Sequence, residues 1–235
     1  MSYILKEKRA ASGNYGGSRT ASQIKYLVLH YTGNDGDSDE GNGAYFANNV
    51  VKASAHYFVD DDSVTRSVPD LNVAWAVGGA KWADCDKTGG GSMYGIITNA
   101  NSISVELCDV KKDGVYSASE KTLERAAELC RNLMNRYKIP VENVYRHFDV
   151  TGKHCPAYMM DETEWRKFKA RLEAAKMDNN PQDFAKEAVE WAVKNGILKG
   201  DTTGNLRLTT YVNREELMVF LHRFAKHISG HMNKL

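Results

Sequence analysis

Residues able to bind a metal ion fall in one short stretch of this chain, Tyr145-Arg-His-Phe-Asp-Val-Thr-Gly-Lys-His-Cys-Pro-Ala-Tyr158. His147 offers an imidazole and Cys155 a thiolate, both good zinc ligands, and Lys153 adds a cation with no evident packing duty. Two ligands do not hold a catalytic ion, so a third must come from elsewhere. His30, at the end of the apolar run Tyr26-Leu-Val-Leu, is the best placed. A His, His and Cys set leaves a fourth position for water, the outline of a metal-dependent hydrolase. A single histidine at a strand end is more often a hydrogen-bonded core residue. The companions His147 and Cys155 reverse that preference for His30.

Four strings occur in order: Leu29-His-Tyr-Thr32 after an apolar strand, Ser54-Ala-His-Tyr-Phe-Val59, Asn101-Ser-Ile-Ser-Val-Glu106, and His147-x7-Cys155-Pro156 with Lys153 inside it. Together they resemble the zinc-dependent N-acetylmuramoyl-L-alanine amidases, a group that includes phage endolysins and the peptidoglycan recognition proteins. The resemblance spans roughly the first three quarters of the chain and rests on the set of motifs rather than on any one. It implies Zn2+ held by His30, His147 and Cys155. It implies Glu106 as general base and then acid, and Lys153 as the cation that stabilises the charge growing on the scissile carbonyl oxygen. The bond cut would be the amide between the lactyl group of N-acetylmuramic acid and L-alanine. Without the resemblance, the residues speak only for metal-assisted amide or ester hydrolysis.

Individual residues have plainer readings. A carboxylate at Glu106 within an apolar strand is costly unless paired or functional, whereas alternation with Ser104 would put it on an exposed sheet face. His56 falls where the phage amidases often carry a tyrosine near the zinc water; the alternative is a strand histidine facing solvent. His154 reads as a solvated neighbour of Lys153. Many relatives carry a His after the Trp of the Ala-Trp motif, but Ala76 follows Trp75 here. In the long Gly-rich stretch 78–100, Trp82 and Tyr94 are candidates to stack on sugar or stem peptide at the cleft rim, or the stretch is simply floppy.

The 235 residues suffice for one ordinary domain plus a small one. A net charge of +1 gives no electrostatic footprint for nucleic acid, and no apolar run is long enough for membrane insertion. The first residues carry charges with no apolar stretch behind them, so no secretory signal is read. A wall-degrading enzyme made in the bacterial cytoplasm then needs another exit. An endolysin of a bacteriophage, released through a separate phage-encoded membrane protein to cause cytolysis, fits. Of the four cysteines, Cys108 and Cys130 read as buried thiols, and Cys85, in a polar loop, has no assigned role.

The expected fold class is α/β, a mixed central β-sheet flanked by helices, followed by a small helical C-terminal module. Residues 1–23 read as an irregular arm, 25–30 as a strand buried on both faces, and 33–43 as an acidic, Gly-rich loop. A short helix over 44–52, strands over 54–59, 64–68, 73–75 and 103–107, and a strand 141–145 delivering His147 follow. Ser117-x-x-Glu120 reads as a capping box opening a helix to Tyr137, with Leu123, Ala126, Ala127, Cys130, Leu133, Met134 and Tyr137 as its core stripe. Trp165, Phe168 and Leu172 place another helix, opening at Asp161.

Residues 1–176 are expected to form the zinc amidase domain, 177–181 a polar linker, and 182–235 a small helical wall-binding module. In the last of these, a helix with Phe184, Ala188, Trp191 and Ala192 ends at Asn195-Gly196, and Asn213-Arg-Glu-Glu216 opens a second helix. The pattern resembles a single S-layer homology module, with departures at Leu206, Leu208 and Asn213. That resemblance implies peptidoglycan or secondary wall polymer as partner; docking on the amidase domain or self-association is the alternative. Two other functions stand beside the amidase: a non-catalytic peptidoglycan-binding protein, which Cys155 argues against, and a cytosolic muropeptide-recycling amidase, which the wall-anchor-like tail argues against.

Overall fold

The computed structural model describes residues 3–173, 179–200, 204–209, 212 and 214–232. The chain divides into two compact units, residues 3–174 and the part from 175 onward. The first is built on a six-stranded mixed sheet in the order β1 (Ile4–Glu7), β5 (Ser63–Arg66), β4 (Tyr57–Val59), β7 (Ser102–Leu107), β3 (Tyr26–Tyr31) and β10 (Val144–Arg146). The pairs β1–β5, β4–β7, β7–β3 and β3–β10 are parallel, and β4–β5 is antiparallel. A sheet of this kind needs cover on both faces, and its central strands show it: Leu27, Val28, Leu29, Ile103 and Val105 are fully buried. The expected α/β class, a mixed sheet flanked by helices, is what is found.

Helix α3 (Glu120–Tyr137) packs on β4 and β7, with α5 (Glu162–Glu173) packed against α3. Ala126, Ala127, Leu129, Cys130 and Leu133 are its buried apolar face. Helix α1 (Asp39–Asn48) lies against β4 and β5, where Phe46 stacks on Phe58 at 5.5 Å. Helix α4 (His147–Thr151) follows β10 directly. The stretch 78–100 contains the short α2 (Cys85–Thr88) and is ordered, not floppy. Val77 and Ile97 bury against Val28 and Val150. Two small antiparallel pairs complete the unit, β2 (Tyr15–Ser18) with β6 (Asn72–Ala74) and β8 (Val110–Lys112) with β9 (Val115–Ser117).

Several local expectations are corrected. The leading arm is not irregular: it supplies β1 and β2, short edge elements whose backbone pairing leaves no apolar alternation to read. The arm is pinned by Arg19, whose buried guanidinium bonds the carbonyls of Asp70, Asn99, Ala100 and Ser102. Half of the supposed 33–43 loop is the start of α1, which runs to Asn48 rather than from 44 to 52. Ser38 caps it by accepting from the Gly41 N–H, and Asp39 and Glu40 fill its first turn, a signal that Gly41 and Gly43 obscure. The cap of α3 is Ser119, accepting from the Thr122 N–H at 3.1 Å, not Ser117, which ends β9. Residues 141–143 form a 3-10 turn, so the strand before His147 is shorter than expected.

In the C-terminal unit, α6 (Lys186–Lys194) and α7 (Arg214–Met232) are the main elements. Trp191 meets Phe224 and His227 with ring centroids 6.4 and 5.5 Å apart. Asn179 bridges to the loop by accepting from the Leu206 N–H at 2.7 Å. The expected cap Asn213 lies outside the described residues.

Candidate metal centre and active site

Parallel strands present their carboxyl ends together, and loops from those ends are where sites form in such sheets. His30 stands at the carboxyl end of β3, in register with Glu106 on β7. The neighbouring pair Arg146–Leu29 joins β10 to the other side of β3, so His147, the first residue of α4, emerges beside His30. Three adjacent strands thus deliver two imidazoles and a carboxylate to one place. The chain then turns at Gly152, in the left-handed region at φ 85°, and returns with Cys155. The Phe148 N–H donates to the Cys155 carbonyl at 3.0 Å, tying the returning segment to α4.

The donor atoms of His30, His147 and Cys155 lie within 4.8 Å of one another, and all three residues are buried. The His30 and His147 rings meet edge to face at 4.6 Å, and His30 Nδ1 is 3.9 Å from Cys155 Sγ. His30 Nε2 and His147 Nδ1 are buried with no hydrogen-bond partner. Buried polar atoms are almost always satisfied, because an unmet one costs about 1–3 kcal/mol. Two buried imidazoles, each with an unmet ring nitrogen, gathered with a thiol fit a cation such as zinc, which prefers imidazole and thiolate donors.

Electrostatics of the two imidazoles agree with that fit. Burial holds the His30 imidazole well below its ordinary range, helped by His147 and Lys153. Burial, again with Lys153, brings His147 down to about 4. Both rings are therefore neutral at pH 7, with lone pairs free to bind a metal. Burial raises the Cys155 thiol, and neighbouring Glu106 adds to the rise. Glu106 is raised to about 8 by burial, against the pull of Lys153. Its side chain keeps 18% exposure and its Oε1 stands 3.8 Å from His30 Nδ1, close but not hydrogen bonded. The exposed-face alternative for Glu106 is thus corrected: the carboxylate faces the cluster. Lys153 is exposed, and its charge is felt by Glu106 and by all three donors.

His56 is placed differently. It is buried rather than solvent-facing, next to Ser104, two pairs back along the sheet from Glu106. Its Nδ1 accepts from the Ser104 N–H at 3.1 Å, and its Nε2 lies 3.1 Å from the Asn72 carbonyl. Burial and Arg19, whose Nη2 lies 2.8 Å away, hold His56 down to about 3. Both nitrogens are occupied by structural partners, and neither is offered to the cluster.

Sequence reasoning passed over the residues that hold the donors in place. Arg146 is buried; it bonds both carboxylate oxygens of Asp149, the Met159 carbonyl at 2.9 Å and Glu162 at 2.7 Å, and lies over the rings of Phe148 and Trp165. One guanidinium thereby joins the segment before His147 to the turn after Cys155. The Arg-His-x-Asp spacing was the available signal. Cys85 also has a place: its sulfur packs on Gly152, where any Cβ would collide with it. The 78–100 stretch is stitched to α4 by the Trp82, Gly91 and Met93 N–H groups, which donate to the carbonyls of Thr151, Phe148 and Asp149. Tyr31, Tyr116 and Tyr158 meet edge to face near Cys155.

Residues 20–158 match the family model described as N-acetylmuramoyl-L-alanine amidase. The N-acetylmuramoyl-L-alanine amidase BlyA of Bacillus subtilis (strain 168) is 34% identical over 155 residues, covering 64% of this chain and 41% of BlyA. XlyB of the same strain is 29% identical over 209 residues, covering 88% of this chain and 60% of XlyB. The chain thus spans between 41% and 60% of the length of these two relatives. Among solved structures, PlyL shares 29% identity with a TM-score of 0.55, covering 72% of this chain and 96% of its own. The PlyG catalytic domain shares 28% identity with a TM-score of 0.57, covering 76% and 99%. With the matched segment enclosing His30, Glu106, His147 and Cys155, the chain belongs to the N-acetylmuramoyl-L-alanine amidase family.

Proposed function

We propose that this chain is a peptidoglycan hydrolase that cleaves the amide bond between N-acetylmuramic acid and L-alanine, with Zn2+ held by His30, His147 and Cys155. The observation that carries the reading is the convergence of those three buried donors with Glu106 in register beside His30. When bound there, zinc supplies Lewis-acid activation of water and of the scissile carbonyl.

The protein's own groups do the rest. Glu106 stands 3.8 Å from His30, and its raised pKa suits a group that must take a proton and give it back near neutral pH. It accepts the proton of the attacking water and delivers it to the leaving alanine nitrogen. The Lys153 ammonium offsets the negative charge developing on the carbonyl oxygen. Burial of the donors keeps both imidazoles neutral, so they compete with no proton for a metal. Arg146 holds His147 and the Cys155 turn at fixed separation. We assign no proton transfer to His56, since its ring nitrogens are already engaged.

Residues 1–176 are read as the catalytic domain and 182–235 as a wall-binding module resembling an S-layer homology unit, directed at peptidoglycan or a secondary wall polymer. An endolysin-type role, with release through a phage-encoded membrane protein, accords with the likeness to a mutant endolysin from Bacillus subtilis, 25% identical with a TM-score of 0.53; no described helix is long and apolar enough to cross a membrane. Purified peptidoglycan incubated with the protein should release free stem peptides beginning in L-alanine, as read by mass spectrometry. Chelation should abolish the release and zinc restore it. Disaccharides released with stems attached would mean a glycosidase; wall binding with no release would favour the non-catalytic alternative.

A further inference from the structure

Beside the metal centre lies an aromatic surface that the hydrolytic chemistry does not use. Trp82, on the stretch 78–100, is 44% exposed, yet its backbone is fixed by the N–H bond to the Thr151 carbonyl at 2.8 Å. Its Cβ lies against Gly152, the residue that turns the chain towards Cys155. The indole is tilted 33° against the ring of His154, with centroids 5.4 Å apart. His154 sits in the chain between Lys153 and Cys155, and its Nε2 is 3.3 Å from Asp84 Oδ2. Phe148, next to His147, closes the back of the His154 ring at 6.4 Å. His154 is exposed, as expected, and in addition pairs with Asp84.

We infer that Trp82, His154 and Asp84 form a glycan subsite that stacks a pyranose ring of the substrate and sets it against the metal centre. This deepens the amidase reading and rests on it. Three properties select a sugar over a stem peptide. An indole held by its own backbone offers a flat apolar face with little conformational freedom left to lose on binding. Directly beside that face, the half-exposed imidazole edge of His154 and the Asp84 carboxylate supply polar partners for ring hydroxyl and acetamido groups. A pyranose has this same pairing, an apolar C–H face bordered by hydroxyls. The position also fits, because the platform shares its backbone with the Lys153–Cys155 turn, where the scissile amide must lie. The tyrosines near Cys155 do not offer an equivalent surface, since Tyr31 already meets both Tyr116 and Tyr158 edge to face. Tyr94, also exposed, is tied to Gly79 only through its hydroxyl at 3.4 Å.

The test uses full-length protein carrying Glu106→Gln, so that ligands bind without being cut. Calorimetry would compare a soluble GlcNAc–MurNAc disaccharide bearing a stem dipeptide with the same peptide lacking sugar. Adding Trp82→Ala should weaken the sugar-bearing ligand roughly tenfold, as expected for truncating an aromatic anchor, and leave the sugar-free peptide unchanged. Trp82→Phe, which keeps an aromatic face, should recover most of the loss. Unchanged affinity for the disaccharide, or equal weakening of both ligands, would overturn the assignment. Should Trp82→Ala fail to fold, the indole N–H resonance of Trp82 in otherwise intact protein decides. It should move on addition of the disaccharide without peptide and stay still with peptide alone; the reverse, or no shift with disaccharide, refutes it. Failure of the amidase reading would show separately, as absence of stem-peptide release by the native protein.

Discussion

Replacing Glu106 by Gln separates chemistry from stability at one position. The side chain keeps its shape and loses its ability to carry a proton between water and leaving group. With that proton carrier gone, kcat should fall by about 10²- to 10⁴-fold, the usual contribution of a positioned acid–base group. Stability should move the other way. In the metal-free protein the Glu106 pKa is raised from 4.5 to about 8, so the folded state holds this proton more tightly than the unfolded chain. The associated stability is fully present below pH 4.5 and is lost as pH rises towards 8. At about 1.4 kcal/mol per pH unit, burying the ionised carboxylate costs on the order of 3–5 kcal/mol above that range. Glutamine escapes this cost. Metal-stripped Glu106→Gln should therefore match the native protein at pH 4 and exceed it increasingly up to pH 8, by a few kcal/mol in urea unfolding. Retained turnover would refute the assigned role, and a variant no more stable than native at pH 8 would refute the burial argument.

Other perturbations probe the frame. Cys155→Ser should cut zinc content measured by atomic emission well below one equivalent, and chelating the native protein should lower its melting temperature by about 10 °C, since saturating metal contributes about 4 kcal/mol. Arg146→Ala leaves Asp149 buried without its partner and should cost about 3–5 kcal/mol in denaturant unfolding; Arg146→Lys restores the charge without the fork and should recover only part, with weakened zinc affinity in both. Gly152→Ala combines a left-handed backbone with a clash on Cys85 and should cost about 2–4 kcal/mol, with Cys85→Ala relieving part of it.

The sheet was legible because its buried parallel strands are written as short runs rich in Val, Ile and Leu. Tyr26-Leu-Val-Leu and Ile103-Ser-Val-Glu-Leu are strands β3 and β7 in the structure. The His and Cys residues of the cluster were legible as types, since His and Cys at close spacing next to a cation have few other uses. Their assembly was not, because it depends on register: nothing local to His30 says that Glu106 will stand opposite it. Edge elements escaped for a related reason. β1 and β2 are held by backbone bonds and by the Arg19 side chain reaching carbonyls some eighty residues away in sequence, which no short window contains. The place of His56 was hidden because a buried, neutral imidazole between Ser104 and Asn72 leaves the same one-letter trace as a solvent-facing one. For the 78–100 stretch, glycine content suggested mobility, while the bonds that fix it run from its backbone to α4 and carry no side-chain signature.

The central claim is the donor set, and X-ray absorption at the zinc edge on the purified protein tests it most directly. One zinc per chain is expected, with two imidazole nitrogens and one sulfur in its coordination shell, the sulfur vanishing in Cys155→Ser. A protein that takes up no zinc, or zinc bound without a sulfur neighbour, would contradict it.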